Sequence, residues 1–325
     1  MSRRVLIVGG AGYIGAHCAR ELEESGVEVV AFDNLSTGHK EAVRSELVVG
    51  DIRDRAALRK VFQSKPFDAV MHFAAKSLVG ESVNHPLRYY DVNVGGTATL
   101  LSEMQRAEIP YFVFSSTCAV YGDPEYLPLD EDHPKNPVSP YGNSKLMVEQ
   151  LLDAAREKEG FHIASLRYFN AAGAHPDGSM GESHDPETHL IPLALQALLG
   201  LRGELSLFGR DYDTRDGTCI RDYIHVCDLA VAHRLALDFL WAGNRGRAWN
   251  LGTGTGTSVL EVLESIERVA GRKVPCSDAP RRAGDPPGLY AAAERVQADL
   301  GWQPQREQID QIVADAYQWV QNPRY

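Results

Sequence analysis

Cysteine is scarce in this chain and carries no pattern. The five cysteines, Cys18, Cys118, Cys219, Cys227 and Cys276, are odd in number and scattered, with no Cys-x-x-Cys and no zinc-type spacing. They argue against a disulfide frame and against a metal centre, and for a reducing, cytoplasmic setting. Basic residues are the minority: 33 Lys and Arg face 44 Asp and Glu, a formal charge of −11. A broad basic face for nucleic acid or anionic lipid is not expected. A phosphate-bearing ligand would have to be met by a few placed arginines. Long apolar runs are missing too, none approaching the ~20 residues of a membrane span. The basic start and the run Val5-Leu6-Ile7-Val8 imitate a secretion signal, with Arg3-Arg4 hinting at twin-arginine export. That run is too short for a signal core, and four glycines follow it within seven residues. A buried strand entering a glycine loop explains it better.

What is present is enough chain for a substantial core. The 325 residues are 44% hydrophobic and 24% charged, ordinary for one large or two average globular domains. Residues 1–170 alternate short apolar runs with longer helical patterns. Strands are predicted at Val5–Val8, Val27–Phe32, Leu47–Val49, Ala69–His72, Phe112–Ser115 and His162–Arg167, and helices at Ile14–Glu24, Arg55–Gln63, Leu87–Arg106 and Tyr141–Glu157. Strands apolar throughout belong to a parallel sheet covered on both faces. The fold class is therefore α/β, a doubly wound parallel sheet of Rossmann type. Residues 171–325 break this rhythm with loops at His175–Glu187, Gly209–Gly217 and Ala279–Gly288. Between them lie a helix from about Ile191, strands Leu205–Phe208 and Tyr223–Val226, and a helix from Asp228. This half reads as a smaller mixed α/β substrate lobe over the carboxyl edge of the sheet, with some later segments returning to the first domain.

Gly9, Gly12 and Gly15 follow the first strand directly and open a helix. In that context the first glycine permits a tight turn, the second lets backbone approach a pyrophosphate, and the third lets helix and strand pack closely. The helix N-terminus then faces the diphosphate. Asp33 ends the second strand, 18 positions after Gly15, where a carboxylate accepts from the adenosine ribose and repels a 2′-phosphate. NAD is thus favoured over NADP. Asp51 either meets the adenine edge or caps a helix. The second glycine-rich run, Gly252–Gly256, precedes Ser258 and Glu261, which read as a capping box that merely starts a helix.

Tyr141 and Lys145 form Tyr-x-x-x-Lys behind Ser139-Pro140, a helix start signal. Both side chains fall on one helix face. Alone, such a pair is an ordinary surface pair. Joined to the glycine loop, Asp33 and the hydroxyl of Thr117 at the end of the fifth strand, it reads as a proton-transfer site. A neighbouring ammonium, a helix N-terminus and cationic NAD would all favour phenolate. His17, His72 and His225 lie in helix or strand patterns and are expected to be packed residues.

Ordered along the chain are GGAGYIGAH from Gly9, DNLS from Asp33, GDIRD from Gly50, HFAA from His72, VGES from Val79 and SSTCAVYGDP from Ser115. SPYGNSKLMVEQ from Ser139, LRYFNAAGAHPDG from Leu166, RDYIHV from Arg221 and APRRAGDP from Ala279 follow. With these runs the chain resembles, over nearly its whole length, the extended short-chain dehydrogenase/reductase family and, within it, the UDP-galactose 4-epimerases. The resemblance implies Tyr141 as general base and acid, Lys145 holding the nicotinamide ribose and depressing the tyrosine's pKa, and Thr117 beside them. Asp33 and Asn34 would take the adenosine ribose, and Asp51 and Ile52 the adenine. Phe73 and Ala74 would line the dinucleotide, Tyr168 would approach the nicotinamide, and Tyr13, Ile14 and Asn93 complete the cofactor set. Asn170, His189, Leu190, Phe208, Arg221, Arg282, Asp285 and Leu289 match positions that hold the UDP-sugar, the two arginines taking the diphosphate. A homodimer through the helices Leu87–Arg106 and Tyr141–Glu157 is also implied.

The chain departs from that pattern at four places. Thr117 stands where serine is commoner, Lys76-Ser77 where members carry a leucine-lysine pair, and His189 where asparagine is frequent. Leu289 stands where members have tyrosine, cysteine or smaller residues facing the sugar's C2 substituent. UDP-N-acetylhexosamines and UDP-pentoses stay open as substrates beside UDP-galactose and UDP-glucose. A nucleotide-sugar 4,6-dehydratase would carry Asp-Glu directly after the active-site hydroxyl residue, and here those positions are Cys118 and Ala119. A non-catalytic NAD sensor would be expected to lose the tyrosine or the lysine, and both are present.

Overall fold

A computed structural model describes residues 3–282 and 284–325. Met1 and Ser2, of the signal-like start, and Ala283, of the APRRAGDP run, lie outside the described residues. The centre is a seven-stranded sheet, ordered from one edge as Ala248–Asn250, His162–Arg167, Tyr111–Ser115, Ala69–His72, Arg4–Val8, Glu28–Asp33 and Glu46–Val49. Every pairing in it is parallel. The first strand lies inside it, between Ala69–His72 and Glu28–Asp33, with Val5, Leu6, Ile7 and Val8 fully buried. That burial on both faces is why the strand shows no polar alternation.

Alternate residues of each strand feed two cores. Val5, Ile7, Val29, Met71 and Val113 pack with Leu22 of helix Tyr13–Glu24 and with Leu229, Leu237 and Leu240 of helix Val226–Trp241. Leu6, Val8, Val30, Phe32 and Phe112 pack with Leu58 of helix Arg55–Ser64, Leu100 and Met104 of helix Gly96–Arg106, and Val148 and Leu152 of helix Pro140–Lys158. Helix Val226–Trp241 and strand Ala248–Asn250 belong to the layers of the large sheet although they follow residue 170. Helices Leu190–Leu198, Val259–Ala270 and Ile309–Gln321 build a separate apolar core with Tyr223. No helix among the described residues is long and apolar enough to cross a membrane.

The expected helix Leu87–Arg106 is not uniform. It follows a short helix Val79–Asn84, opens as the helical turn Pro86–Tyr89, widens into a π-helical turn at Tyr90–Gly95, and resumes as Gly96–Arg106. Close contact explains a small residue here, because a Cβ on Gly96 would meet Ile52 Cδ1 at 2.4 Å. π-turns inside helices often serve a function, and this one carries Asn93. In the second half Ser258 and Glu261 form the reciprocal cap of helix Val259–Ala270, as the sequence indicates.

Strand order reverses beside the first strand, since the chain leaves Glu46–Val49 at one edge and returns as Ala69–His72 on the other side of Arg4–Val8. Such a switch point opens a crevice at the carboxyl ends of the strands. The Gly9 turn enters it after the first strand and Phe73-Ala74 after the fourth. Both are tied to the sheet: Gly9 N–H donates to Phe32 O at 2.8 Å and Phe73 N–H to Val8 O at 2.7 Å.

Candidate functional site

At the switch point lies a cleft of about 260 Å³, lined by Gly9, Gly12, Asp33, Asn34, Asp51, Ile52, Phe73 and Ala74 among others. The glycines divide their work as the spacing predicts. Gly9 has φ of 83° and a Cβ there would lie 2.4 Å from Ala74 N, while one on Gly15 would lie 2.1 Å from Gly9 O. Only glycine fits either position. A Cβ on Gly12 would meet nothing nearer than Gly9 O at 3.4 Å, so its side faces the cleft. Helix Tyr13–Glu24 begins there with no side-chain cap and no acidic residue in its first turn. Its first N–H groups are therefore suited to an anion. Asp33 is locked in place, accepting from Ala11 N at 3.0 Å and Leu35 N at 2.8 Å. A bare helix start with a cleft-facing glycine and a fixed carboxylate one strand away fit a dinucleotide diphosphate and ribose.

Asp51 is not a helix cap; Asp54 caps helix Arg55–Ser64. The Asp51 carboxylate pairs with Arg53 at 2.8 Å and accepts from Asn34 Nδ2 at 3.1 Å. The Arg53 hydrogen bond holds its pKa well below the usual range, against the effect of partial burial. Asn93 has its amide fully engaged: Nδ2 donates to Lys76 O and Ser144 Oγ at 3.0 and 2.9 Å, and Oδ1 accepts from Lys76 N at 2.8 Å. It braces the cleft wall against the next helix rather than presenting a free donor. Lys76 and Ser77 both line the cleft.

The proton-transfer set sits at the carboxyl end of strand Tyr111–Ser115. Helix Pro140–Lys158 starts there because Ser139 Oγ accepts from Gly142 N at 3.1 Å and Pro140 occupies the first helical position. Tyr141 falls in that first turn, where the Thr117 hydroxyl acts to favour its ionised form. Lys145 is buried, and its Nζ donates to Ser115 O at 2.8 Å. The charge states differ from the sequence expectation. Burial pushes the Tyr141 phenol up to about 12, with the Thr117 hydroxyl opposing it. Lys145 does not lower it, because its ammonium is turned to the Ser115 carbonyl and is itself pushed down to about 7 by burial. In the protein alone the expected phenolate is therefore not favoured. Tyr168 pairs with Ser115 Oγ at 2.5 Å, and burial raises its pKa strongly. Tyr141, Lys145, Thr117 and Tyr168 are not among the residues lining the cleft.

On the substrate side, Leu289 lies opposite Arg221 in a short parallel pairing. Arg221 pairs with Asp285, and the Arg282 guanidinium stacks 4.0 Å from the Phe208 ring. Asn170 Nδ2 donates to Asp222 O at 3.1 Å. Leu190 begins helix Leu190–Leu198, and the exposed His189 precedes it at the rim of the cleft. His17, His72 and His225 are buried, as the patterns predict.

Several residues of the site were not legible as such. His184 and Glu182 are one case: His184 lines the cleft and pairs with buried Glu182 at 3.1 Å. Burial would lower His184, but hydrogen bonds to Glu182 and Glu187 outweigh it and raise its pKa to about 10. Asp222 is fully buried, pushed up to about 6 by burial, and accepts from Ala291 N and from Thr253. Its place directly after Arg221 was the one available signal.

The NAD dependent epimerase/dehydratase family matches residues 5–252. A UDP-glucose 4-epimerase of Lacticaseibacillus casei is 48% identical over 320 residues, which is 98% of this chain and 97% of the relative. The crystal structure of UDP-glucose 4-epimerase from Brucella ovis in complex with NAD superposes with a TM-score of 0.95 at 48% identity, covering 97% of this chain and 98% of that one. The enzyme from Bifidobacterium longum in complex with NAD+ and UDP gives 0.92 at 38% identity, covering 98% and 99%.

Proposed function

Since the chain belongs to the NAD dependent epimerase/dehydratase family, we propose that it is a UDP-sugar 4-epimerase interconverting UDP-galactose and UDP-glucose, with NAD retained through the cycle. The observation that carries this is the placing of Tyr141 in the first turn of helix Pro140–Lys158 with Lys145 buried one turn on and bonded to the end of strand Tyr111–Ser115, one strand from a cleft of dinucleotide character. The relatives at about this identity carry the same activity in their names.

When bound, NAD supplies the hydride acceptor for sugar C4 and a cationic ring near the phenol. The chain's own residues do the rest. Gly9, Gly12, Tyr13, Ile14 and Gly15 form the diphosphate turn, and Asp33 and Asn34 take the adenosine ribose. Asp51, Ile52, Phe73 and Ala74 wall the adenosine half, and Asn93 holds that wall in place. Tyr141 removes the 4-OH proton with Thr117 sharing it, and Lys145 supports the negative phenol and the nicotinamide ribose. Tyr168 flanks the ring site. Arg221 and Arg282 hold the sugar's diphosphate, with Asn170, His189, Leu190, Phe208 and Asp285 around the nucleotide and Leu289 against the sugar. Because the tail stays bound, the 4-keto sugar turns on its phosphate link and presents the other face of C4 to the hydride that NAD would return, and Tyr141 gives the proton back to O4.

The dehydratase reading gains no support. It needs an acid–base pair after Thr117, but Ala119 has no ionisable group and burial raises the Cys118 thiol well above its ordinary pKa. Residues 1–170 act mainly as the NAD domain and 171–325 mainly as the UDP-sugar lobe. The exposed apolar side chains Val79, Val83, Leu87 and Met147 support a homodimer through the neighbouring helices, and five free cysteines support a reducing cytoplasm, where the proposed reaction on UDP-galactose would serve galactose metabolism. The test is direct: purified protein mixed with UDP-galactose, followed by NMR, should form UDP-glucose. Absence of UDP-glucose alongside intact, NAD-loaded protein ends this reading.

A further inference from the structure

Helix Pro140–Lys158 carries a third polar residue on the stripe of Tyr141 and Lys145. Glu149 stands one turn beyond Lys145 and is buried. It is not left as a lone charge. Arg167 grips it with both arms of the guanidinium, Nε to Oε1 at 2.8 Å and Nη2 to Oε2 at 2.6 Å. Ser116 Oγ donates to Oε1 at 2.6 Å. Arg167 Nη1 in turn donates to Tyr121 OH at 2.8 Å, and Tyr121 OH donates to Asn250 Oδ1 at 2.6 Å. Each contact lies next to a residue of the reaction: Ser116 precedes Thr117, Arg167 precedes Tyr168, and Glu149 lies one turn from Lys145.

We propose that Glu149 is a positioning residue for the proton-transfer chemistry, setting a carboxylate one helical turn from Lys145 and fixing the Thr117 and Tyr168 strand ends through Ser116 and Arg167. A buried salt bridge is costly unless its remaining lone pairs are satisfied, and here Oε1 takes two donors and Oε2 one. A network placed only for stability could be replaced by apolar packing. This one stands one helical turn from the buried Lys145 ammonium. Burial is the main influence on Lys145 and acts against its charge; Glu149 is the group that favours it. The other charged or titratable groups facing this pair are His72 beside Lys145, Cys118 and Lys135 beside Glu149, and the more distant Arg156. Besides Arg167, the donor to the Glu149 carboxylate is the neutral Ser116 hydroxyl.

The inference rests on the epimerase reading, and its test separates the two. Glu149→Gln keeps shape and the Ser116 bond but removes the charge. Since a neighbouring charge moves a pKa by about one unit or more, the high-pH limb of kcat for UDP-galactose should move about one pH unit lower, with about tenfold less kcat on the alkaline side. KM should stay the same. Glu149→Asp should restore the limb even where it lowers Tm. A second readout needs no turnover: the rise of Tm with pH that Lys145→Met abolishes should begin about one unit lower in Glu149→Gln. If Glu149→Gln does not fold, Glu149→Gln with Arg167→Met removes both buried charges together, and the limb and the Tm–pH curve should then shift the same way but by less, because the lost arginine offsets part of the lost carboxylate. A lower Tm with an unmoved limb and an unmoved Tm–pH curve overturns the inference. Wild-type protein without turnover sinks the epimerase reading instead, and the Tm–pH curves still decide this one.

Discussion

The Lys145 ammonium donates to the backbone carbonyl of Ser115 at 2.8 Å, and that bond ties the catalytic helix to the end of the fifth strand. It also orients the ammonium: the nitrogen lies 4.7 Å from the Phe114 ring centre, held in a pocket with little water to share its charge. Tyr141, one turn earlier, reaches Thr117 at the same strand end. One helix thus delivers a proton carrier and a cation to one place, and the sheet supplies the hydroxyl.

Tyr141→Phe removes only the phenolic oxygen. Loss of a positioned general base costs about 10²–10⁴-fold, so kcat for UDP-galactose should fall by that factor. The protein should still purify with NAD, read by its absorbance after denaturation. Turnover near the wild-type rate would rule out the assigned role.

Lys145 gives a stability signature with a definite sign. Burial lowers its pKa from 10.5 to about 7. Below pH about 7 the folded state carries a buried ammonium that the unfolded chain hydrates freely, so the penalty is fully present. Between about 7 and 10.5 the folded state binds fewer protons than the unfolded one and stability rises with pH. Lys145→Met should therefore raise Tm of the NAD-free protein most at pH 6, with the gain fading towards pH 10.5. At about 1.4 kcal/mol per unit the ceiling is about 4–5 kcal/mol, reduced by the lost bond to Ser115. A gain independent of pH contradicts the buried-ammonium account.

His184 has the opposite sign. Its pKa is raised to about 10 by hydrogen bonds to Glu182 and Glu187 that outweigh burial. The stabilisation is fully present below about 6.5 and is lost as pH rises through about 10. His184→Gln should lower Tm most near pH 6 and match the wild type above pH 10. Calorimetry across that range checks it; an equal deficit at every pH argues that packing, not charge, is at work.

Asp33→Ala would leave Ala11 N and Leu35 N without their partner. An orphaned buried donor costs about 1–3 kcal/mol, so Tm should fall and the glycine turn loosen. The NAD content of the purified protein should drop with it. Asp33→Asn, which keeps one acceptor oxygen, should lose less of both; full NAD occupancy in Asp33→Ala would separate Asp33 from the cofactor.

Much of this was legible in the chain. The strand Arg4–Val8, the turn Gly9–Gly15, Asp33 and the Tyr141–Lys145 pair follow from local rules: apolar runs buried on both faces, glycine where no Cβ fits, a serine cap and proline that start a helix. Those rules act over a few residues, so sequence determines them. The tertiary structure decided what depends on distant segments. The charge of Tyr141 was one such matter, since phenol ionisation is set by burial and by where Lys145 points, and neither is encoded in Tyr-x-x-x-Lys. The engaged amide of Asn93 was another, fixed by a π-turn meeting the Lys76 wall. The buried Glu149–Arg167 pair, 18 residues apart on a helix and a strand, exists only because the sheet brings those elements together. Electrostatics is long-ranged and depends on what excludes water, and only the folded chain determines that.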